Sequence, residues 1–189
     1  QPLGLEIIQL KVAAQHGKIT GGFELSSKNI GTANAHLTLP IKQSNNSWSI
    51  ANEAPLNGEV MAHITRLKWM DATLGDSMNV NGQLQVQATI KGTLNQPDLA
   101  GSVSGKELSV LLLEHGINLQ QGNLTAHFHQ SDLKIDQLVF VTPHEASPDD
   151  RLFKDLKLDG ASGSLTITGN IGFADNESNL YFKINQLPL

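Results

Sequence analysis

The sequence predicts an all-β protein, and three observations support this prediction. Apolar and polar residues alternate over many short stretches, which places successive side chains on opposite faces of a strand. Glycine recurs two residues before Leu, Ile or Val, as in Gly82-Gln-Leu84. A single segment has the spacing of a helix. Strands separated by turn residues at short intervals indicate an antiparallel meander, in the form of a sandwich, a barrel or an elongated sheet.

The recurring glycines are interpreted as turns. Each supplies a turn or a positive φ, and the apolar residue two positions later is the first inward-facing side chain of the next strand. Their spacing is uneven, so they form a loose repeat without the strict period of a solenoid. The glycines in question are Gly17, Gly58, Gly82, Gly92, Gly101, Gly122, Gly163 and Gly169.

One segment, residues 65–74, has helical spacing instead. Leu67, Met70 and Leu74 recur at three- and four-residue intervals, Thr65 can serve as N-cap, and Gly75 stands where a C′ glycine belongs. We expect a helix of two to three turns. Its apolar face, formed by Leu67, Met70 and Leu74, should pack against the apolar face of the sheet.

The cleanest strand pattern covers residues 84–90, where Leu84, Val86, Ala88 and Ile90 alternate with polar residues. Each such strand should have one buried face and one face in water. The same alternation predicts strands at residues 124–128, 133–135, 156–158, 165–167 and 180–184.

The alternation changes phase between Ile135 and Phe140. Leu138 and Phe140 would fall on the face opposite Leu133 and Ile135 unless one extra residue intervenes. The sequence therefore predicts a β-bulge or corner at Asp136 or Gln137.

Polar tracts predict three loops, at residues 43–47, 51–57 and 142–150. The last contains two prolines and an acidic pair, and we treat residues 142–155 as an exposed excursion from the sheet.

The composition excludes several classes of function. The net charge is −5, the pI is about 5.7, and no two Lys or Arg residues are adjacent, which argues against a nucleic-acid partner. The chain has no cysteine and no apolar run of membrane-spanning length. The chain starts at Gln1 without a signal-like segment, so we expect any anchor or signal to lie in a longer precursor.

No pattern of catalytic residues is present, and we predict that the protein is not an enzyme and needs no cofactor. His127 and His129 would lie about 7 Å apart on one strand face. They alternate with the apolar Ala126 and Phe128, so they should face water, and no third ligand stands nearby. We therefore predict no metal site.

The apolar face itself is the remaining candidate site. Aromatic residues make up 5% of the chain, so the face is mostly aliphatic, which suits acyl chains better than sugars or nucleotides. The candidate groove residues are Leu84, Val86, Ala88, Ile90, Leu124, Ala126, Phe128, Leu133, Ile135, Leu165, Ile167, Phe182 and Ile184.

Several motifs follow one another in a familiar order. Gly92-Thr-Leu94-Asn-Gln-Pro97-Asp-Leu99-Ala-Gly101 is the most telling, and similar glycine-containing strand motifs follow at residues 116–124 and 163–169. Their order, over residues 17–187, resembles the TamB family of the translocation and assembly module, within the AsmA-like superfamily.

This resemblance implies a fold, a location and a function. Members of the family are anchored in the inner membrane of Gram-negative bacteria and cross the periplasm towards TamA, an outer-membrane barrel of the barrel-assembly-factor family. Their strands form a long folded sheet, a β-taco, with an apolar concave groove. Residues 1–189 would be one segment of that sheet. The implied roles are phospholipid transport between the membranes and support of outer-membrane protein assembly.

Two other functions stay open at this point. A closed sandwich or a β-helix could serve as a scaffold or adhesin module without lipid. An open sheet could instead use its unpaired strand edges as a chaperone for nascent outer-membrane barrel proteins.

Overall fold

The structure, a computed structural model, describes residues 3–44, 47–71, 77–142, 163–173 and 177–185, and it confirms the all-β prediction. Ten antiparallel strands form one unclosed, curled sheet, and two short strands form a separate hairpin. The strands are β1 (Leu5–Gln15), β2 (Lys18–Ser27), β3 (Gly31–Pro40), β4 (Lys42–Ser44), β5 (Ser47–Ser49), β6 (Asn57–Ile64), β7 (Met78–Gly92), β8 (Pro97–Leu112), β9 (Ile117–Gln130), β10 (Asp132–Thr142), β11 (Gly163–Gly172) and β12 (Ser178–Asn185).

The sheet is a simple meander. Its strand order is β1-β2-β3-β6-β7-β8-β9-β10-β11-β12, so every strand pairs with its neighbours in sequence, and only the β4–β5 hairpin interrupts the series. This arrangement is neither the two facing sheets of a sandwich nor the parallel coils of a β-helix. The two-residue turn His16-Gly17 shows how tightly strands connect, since both residues have positive φ and match a twisted hairpin.

The predicted strands that the structure describes lie within longer observed strands. In β7, the inward Leu84, Val86, Ala88 and Ile90 are buried or half-buried, and the residues between them are exposed, as the alternation predicts. The segments at 124–128, 133–135, 165–167 and 180–184 belong to β9, β10, β11 and β12. The predicted strand at 156–158 and the excursion at 143–155 lie outside the described residues.

The recurring glycines were predicted to supply a turn or a positive φ, and five of the eight do so. Gly17 and Gly92 do lie at turns, with φ of 70° and 84°. Gly82, Gly101 and Gly169 also have positive φ but lie inside strands and not at turns. Gly122 lies inside a strand too, and its φ is not positive. There they make room for a close neighbour: a Cβ on Gly101 would collide with the Gln87 carbonyl oxygen of β7.

The predicted bulge in β10 is confirmed. Opposite β9, Ile135 pairs with Ala126 and Gln137 pairs with Thr125, so Asp136 is the extra residue. Leu138 thereby returns to the face that contains Ile135.

Two further bulges, which the apolar pattern of the sequence does not predict, lie in the neighbouring strands. The pairing shifts by one residue near Glu107 in β8 and near Gln121 in β9. Both residues have left-handed φ, 52° and 51°. Three adjacent strands therefore contain one bulge each, which increases the local bending of the sheet.

The helix predicted over residues 65–74 is only partly correct. The described portion contains a 3₁₀ turn at Lys68–Met70, and the residue before it, Leu67, makes no side-chain cap. Thr65 is not the N-cap, which is Leu67; the Thr65 hydroxyl instead donates to the Ile30 carbonyl at 3.4 Å. Residues 72–76, including Leu74, lie outside the described residues.

Two of the predicted loops are described. Residues 51–56 form a loop as expected, although Ala54 and Leu56 within it are buried. In the tract at 43–47, Gln43 and Ser44 belong to β4 and Ser47 begins β5, and residues 45–46 lie outside the described residues.

Candidate functional site

One face of the sheet presents an unbroken apolar row across all ten strands. Residues that pair across neighbouring antiparallel strands point to the same face. The register links ten apolar or glycine residues in this way, and at strand spacing the row is about 43 Å long. This central row consists of Ile8, Leu25, Ala33, Ala62, Val86, Val103, Ala126, Ile135, Gly169 and Leu180.

A second row runs beside the first across nine strands and ends at Ser178 of β12. The two rows, together with the residues that point the same way along each strand, form what we call the inner face. The second row consists of Leu10, Phe23, Ala35, Val60, Ala88, Gly101, Phe128, Leu133 and Ile171.

The thirteen candidate groove residues all belong to this face but differ in exposure. Three are buried, namely Ala88, Ala126 and Ile135, and Ala126 is only 1% exposed. Two on β12, Phe182 and Ile184, are each 62% exposed. The half-buried ones are Leu84, Val86, Ile90, Leu124, Phe128, Leu133, Leu165 and Ile167.

The middle of the inner face is a packed core. Val103, Ala126 and Ile135 form a buried cluster on β8, β9 and β10, and Ile171 of the next strand, β11, packs against it. The sheet curls here, since β8 and β10 also contact each other although β9 lies between them. The inner face is therefore closed at its centre and accessible at its flanks, on β1 and β12.

One end of the inner face is covered by the segment that was predicted to be a helix. Leu67 is buried with Leu108, Leu119 and Phe140, and Met70 packs against the same cluster. The Leu67 N–H also donates to the Gly82 carbonyl at 3.1 Å, which ties the segment to β7. The 3₁₀ segment thus occupies the groove at this end.

Cavities on the described surface lie away from the central row. Four of them have volumes of about 950, 590, 230 and 190 Å³, and none of these four is lined by a residue of the central row. The largest of the four lies against β7, β8 and β9 on the opposite, polar face, which we call the outer face.

The two histidines considered as metal ligands lie in β9, and the register pairs His127 with Ser102 and Lys134 on the outer face. His127 Nδ1 lies 2.8 Å from Asp136 Oδ2, the side chain of the β10 bulge. Among the described residues, no three His, Asp or Glu side chains gather in a way that could hold a metal ion.

The inner-face residues of the N-terminal strands were missed by the sequence analysis. Ile8 and Leu10 on β1 and Leu25 on β2 extend both rows, and Val103 joins them from β8. A weak signal exists in Leu99-Ala-Gly101-Ser-Val103, where the period of two continues through a glycine.

These features define a class of protein: an open antiparallel meander with one continuous aliphatic face and one amide-rich face. Within the described ranges, no helix has the length and apolar character needed to cross a membrane. No family model, no curated protein and no solved structure matches the chain.

Proposed function

We propose that the inner face binds the acyl chains of phospholipids. The observation that supports this best is the continuous central row, in which no polar residue interrupts ten strands. Burying an acyl chain gains about 0.8 kcal/mol per CH₂ group. A wall without hydrogen-bonding groups lets the chain slide, because no position along it is strongly preferred.

The binding surface we propose is the flanks of the inner face and not its centre. On β1, Ile8 and Leu10 are 60% and 72% exposed, and on β12 Phe182 and Ile184 are equally accessible. An acyl chain against β8 to β10 would first have to displace the packed side chains around Ala126.

The biological setting is also proposed, on the strength of the sequence resemblance. In this proposal the chain is a periplasmic segment of a TamB-like, inner-membrane-anchored protein that passes phospholipids between the two membranes and supports outer-membrane protein assembly. Its partner would be a TamA-like barrel of the outer membrane. The proposal assigns no catalytic residue and no cofactor.

A matched pair of variants on β12 tests the lipid proposal. Phe182 faces inward and Tyr181, its neighbour, faces outward, and both are mostly exposed. Phe182→Asp should lower the amount of co-purified phospholipid at least about tenfold, because a charge on an acyl-binding surface costs well over 1.4 kcal/mol. Tyr181→Asp adds the same charge on the outer face and should leave the lipid unchanged.

Native mass spectrometry of the purified chain gives the readout, and circular dichroism checks that both variants fold. Lipid-free wild-type protein, or equal lipid loss in both variants, would contradict the proposal.

A second candidate function is favoured by the state of the two edge strands. All eleven residues of β1 and all eight of β12 are exposed, and in the described structure neither strand is paired on its outer side. Free edges can pair with an extended chain, so they could hold nascent outer-membrane strands. Photo-crosslinkers at Leu10 or Phe182 that capture an unfolded barrel protein but no lipid would favour this function over lipid transport.

A further inference from the structure

The outer face has a depression that the lipid proposal does not use. It spans β7, β8 and β9 at the end where the 3₁₀ segment lies, and its volume is about 950 Å³. This is within the usual range of ligand-binding pockets. Half of its lining residues are Asn or Gln, and we call it the amide depression.

The fold explains only some of these amides, such as Asn123, whose Nδ2 donates to the carbonyl of the bulge residue Gln121 at 3.0 Å. Asparagine is depleted in strands because it packs poorly on a pleated surface and competes for backbone hydrogen bonds. Yet Asn79 and Asn81 lie within β7, and Asn118 and Asn123 lie within β9. In the described structure the side chains of Asn79 and Asn81 form no hydrogen bond, so their place in a strand has no structural gain. Residues that break a local rule in this way are characteristic of a functional surface.

Residues with an unfavourable backbone conformation also line the amide depression. Four described residues other than glycine have positive φ; two of them, His16 and Gln130, are at hairpin turns. The other two, Glu107 and Gln121, lie inside strands, and both line the amide depression. The bulges they form reshape the outer face here, and strain of this kind is concentrated at ligand sites.

Some polar groups of the amide depression are hydrogen-bonded within the protein, and others are available to bind a ligand. Gln120 Nε2 donates to Asn118 Oδ1 at 3.2 Å, and Asp71 Oδ1 accepts from the Val80 N–H at 2.9 Å. Among the described residues, the side-chain amides of Asn81 and Gln83 form no hydrogen bond. Each free amide offers two donors and one acceptor to a ligand.

The charges of the depression nearly cancel. Lys68 and Lys106 stand beside Asp71 and Glu107 in its lining. A phosphate-bearing ligand needs an excess of positive charge, which is missing here. An uncharged ligand rich in hydroxyl groups matches both the balanced charge and the amides.

An aromatic ring stands at one end. Trp69 is 38% exposed and lines the adjoining cavity of about 590 Å³, which shares Asn81, Gln83 and Glu107 with the amide depression. An exposed indole offers an apolar face next to polar groups, and a pyranose ring can stack on such a face through its C–H groups.

From these observations we propose that the amide depression binds an uncharged oligosaccharide chain, with the amides of β7 and β9 pairing with sugar hydroxyls and Trp69 stacking on a terminal ring. The site lies on the face opposite the acyl-binding surface, so the two functions can fail or succeed separately.

Isothermal titration of the full chain with cellohexaose, maltohexaose and chitohexaose tests the proposal. We expect at least one of them to bind. Gln83→Leu should weaken that binding at least about fivefold, which corresponds to one lost hydrogen bond. Leucine fits a strand at least as well as glutamine, so this variant should still fold.

Gln87→Leu is the matched control, since Gln87 lies on the same strand and the same face but outside the depression. It should bind like the wild type, as should Phe182→Asp. The proposal is overturned if none of the three sugars binds at millimolar concentration, if Gln83→Leu and Gln87→Leu behave alike, or if a short oligothymidylate binds more tightly than every sugar.

Discussion

At the scale of single residues, the curl of the sheet depends on glycines that surround Leu108. A Cβ on Gly82 would lie 2.8 Å from the Leu108 Cα, and a Cβ on Gly105 would lie 2.9 Å from its Cδ1. Gly122 faces both Leu108 and the ring of Phe140. These glycines let a leucine and a phenylalanine lie directly on the backbone, where any larger residue would separate them.

Gly122→Ala should therefore destabilise the protein by about 1–3 kcal/mol, the usual cost of overpacking a core. Its φ is not in the left-handed region, so the effect comes from the clash with Phe140 and Leu108 and not from backbone strain. Urea denaturation gives the change as a lower midpoint.

Gly21→Ala is the control for this prediction. Nothing lies within 4 Å of a Cβ at Gly21, and its φ is also outside the left-handed region. It should be neutral or stabilise the protein by up to about 1 kcal/mol, since alanine restricts the unfolded chain. Equal destabilisation by the two substitutions would show that the space around Gly122 is not the cause.

At the scale of elements, the β10 bulge keeps two halves of one strand in phase. Leu133 and Ile135 precede Asp136, and Leu138 and Phe140 follow it, yet all four belong to the inner-face clusters. In an unbulged strand, residues separated by an odd number of positions point to opposite faces. Because the bulge leaves Asp136 unpaired, the residues on both sides of it stay on one face, and one strand contributes to both clusters.

Deleting Asp136 should be tolerated better than deleting Lys134, two residues before it. Without Asp136 the strand alternates strictly, so Leu133, Ile135, Leu138 and Phe140 all stay on the inner face. Without Lys134 the extra residue remains, and either Leu133 or Ile135 must turn to the outer face, which costs about 1.5–3 kcal/mol. Asp136→Asn keeps the residue count and should lose only the contact with His127, which is an exposed pair. A thermal melt by circular dichroism compares the two deletions, and an equal fall in melting temperature for both would contradict this explanation.

The three bulges also show what the sequence could and could not predict. The bulge at Asp136 was predictable because strong apolar residues stand on both sides of it. Those at Glu107 and Gln121 were not, since the inward residues next to them include Gly105 and Gly122, which give no apolar signal. The same reason explains the missed inner positions of β3 and β6, where Ala33, Ala35 and Ala62 are small.

The candidate groove could be predicted only in part, because the apolar pattern shows which way side chains face but not how the sheet bends. Alternation determines which side chains face inward, and this identified the face correctly along β7 and β9. It contains no information on curvature, which results from bulges and from glycines facing other strands. The packed state of Ala126 and the exposed state of Phe182 could therefore not be distinguished from the sequence.

At the scale of the whole molecule, charge and apolar surface are separated. The chain has a net charge of −5 with only 13 Lys and Arg residues, and the inner face contains none of them in its two rows. Large exposed apolar side chains are found at both flanks, including Leu10 and Val12 on β1. The proposed lipid binding thus depends on the hydrophobic effect and not on attraction between the protein and lipid headgroups.

This separation predicts that lipid binding is insensitive to the headgroup and to salt. Raising the ionic strength from about 0.1 M to about 1 M shortens the Debye length from about 10 Å to about 3 Å, which removes most surface electrostatics but leaves apolar burial in place. Transfer of fluorescent phosphatidylcholine and phosphatidylglycerol between vesicles, measured with the purified chain, should differ by less than about twofold between lipids and between salt concentrations. An interface that used Lys11, Lys18 or another exposed cation would instead favour the anionic lipid at low salt and lose that preference at high salt. A strong salt-dependent preference for phosphatidylglycerol would therefore place the lipid on the charged outer face and exclude the inner face as its main binding surface.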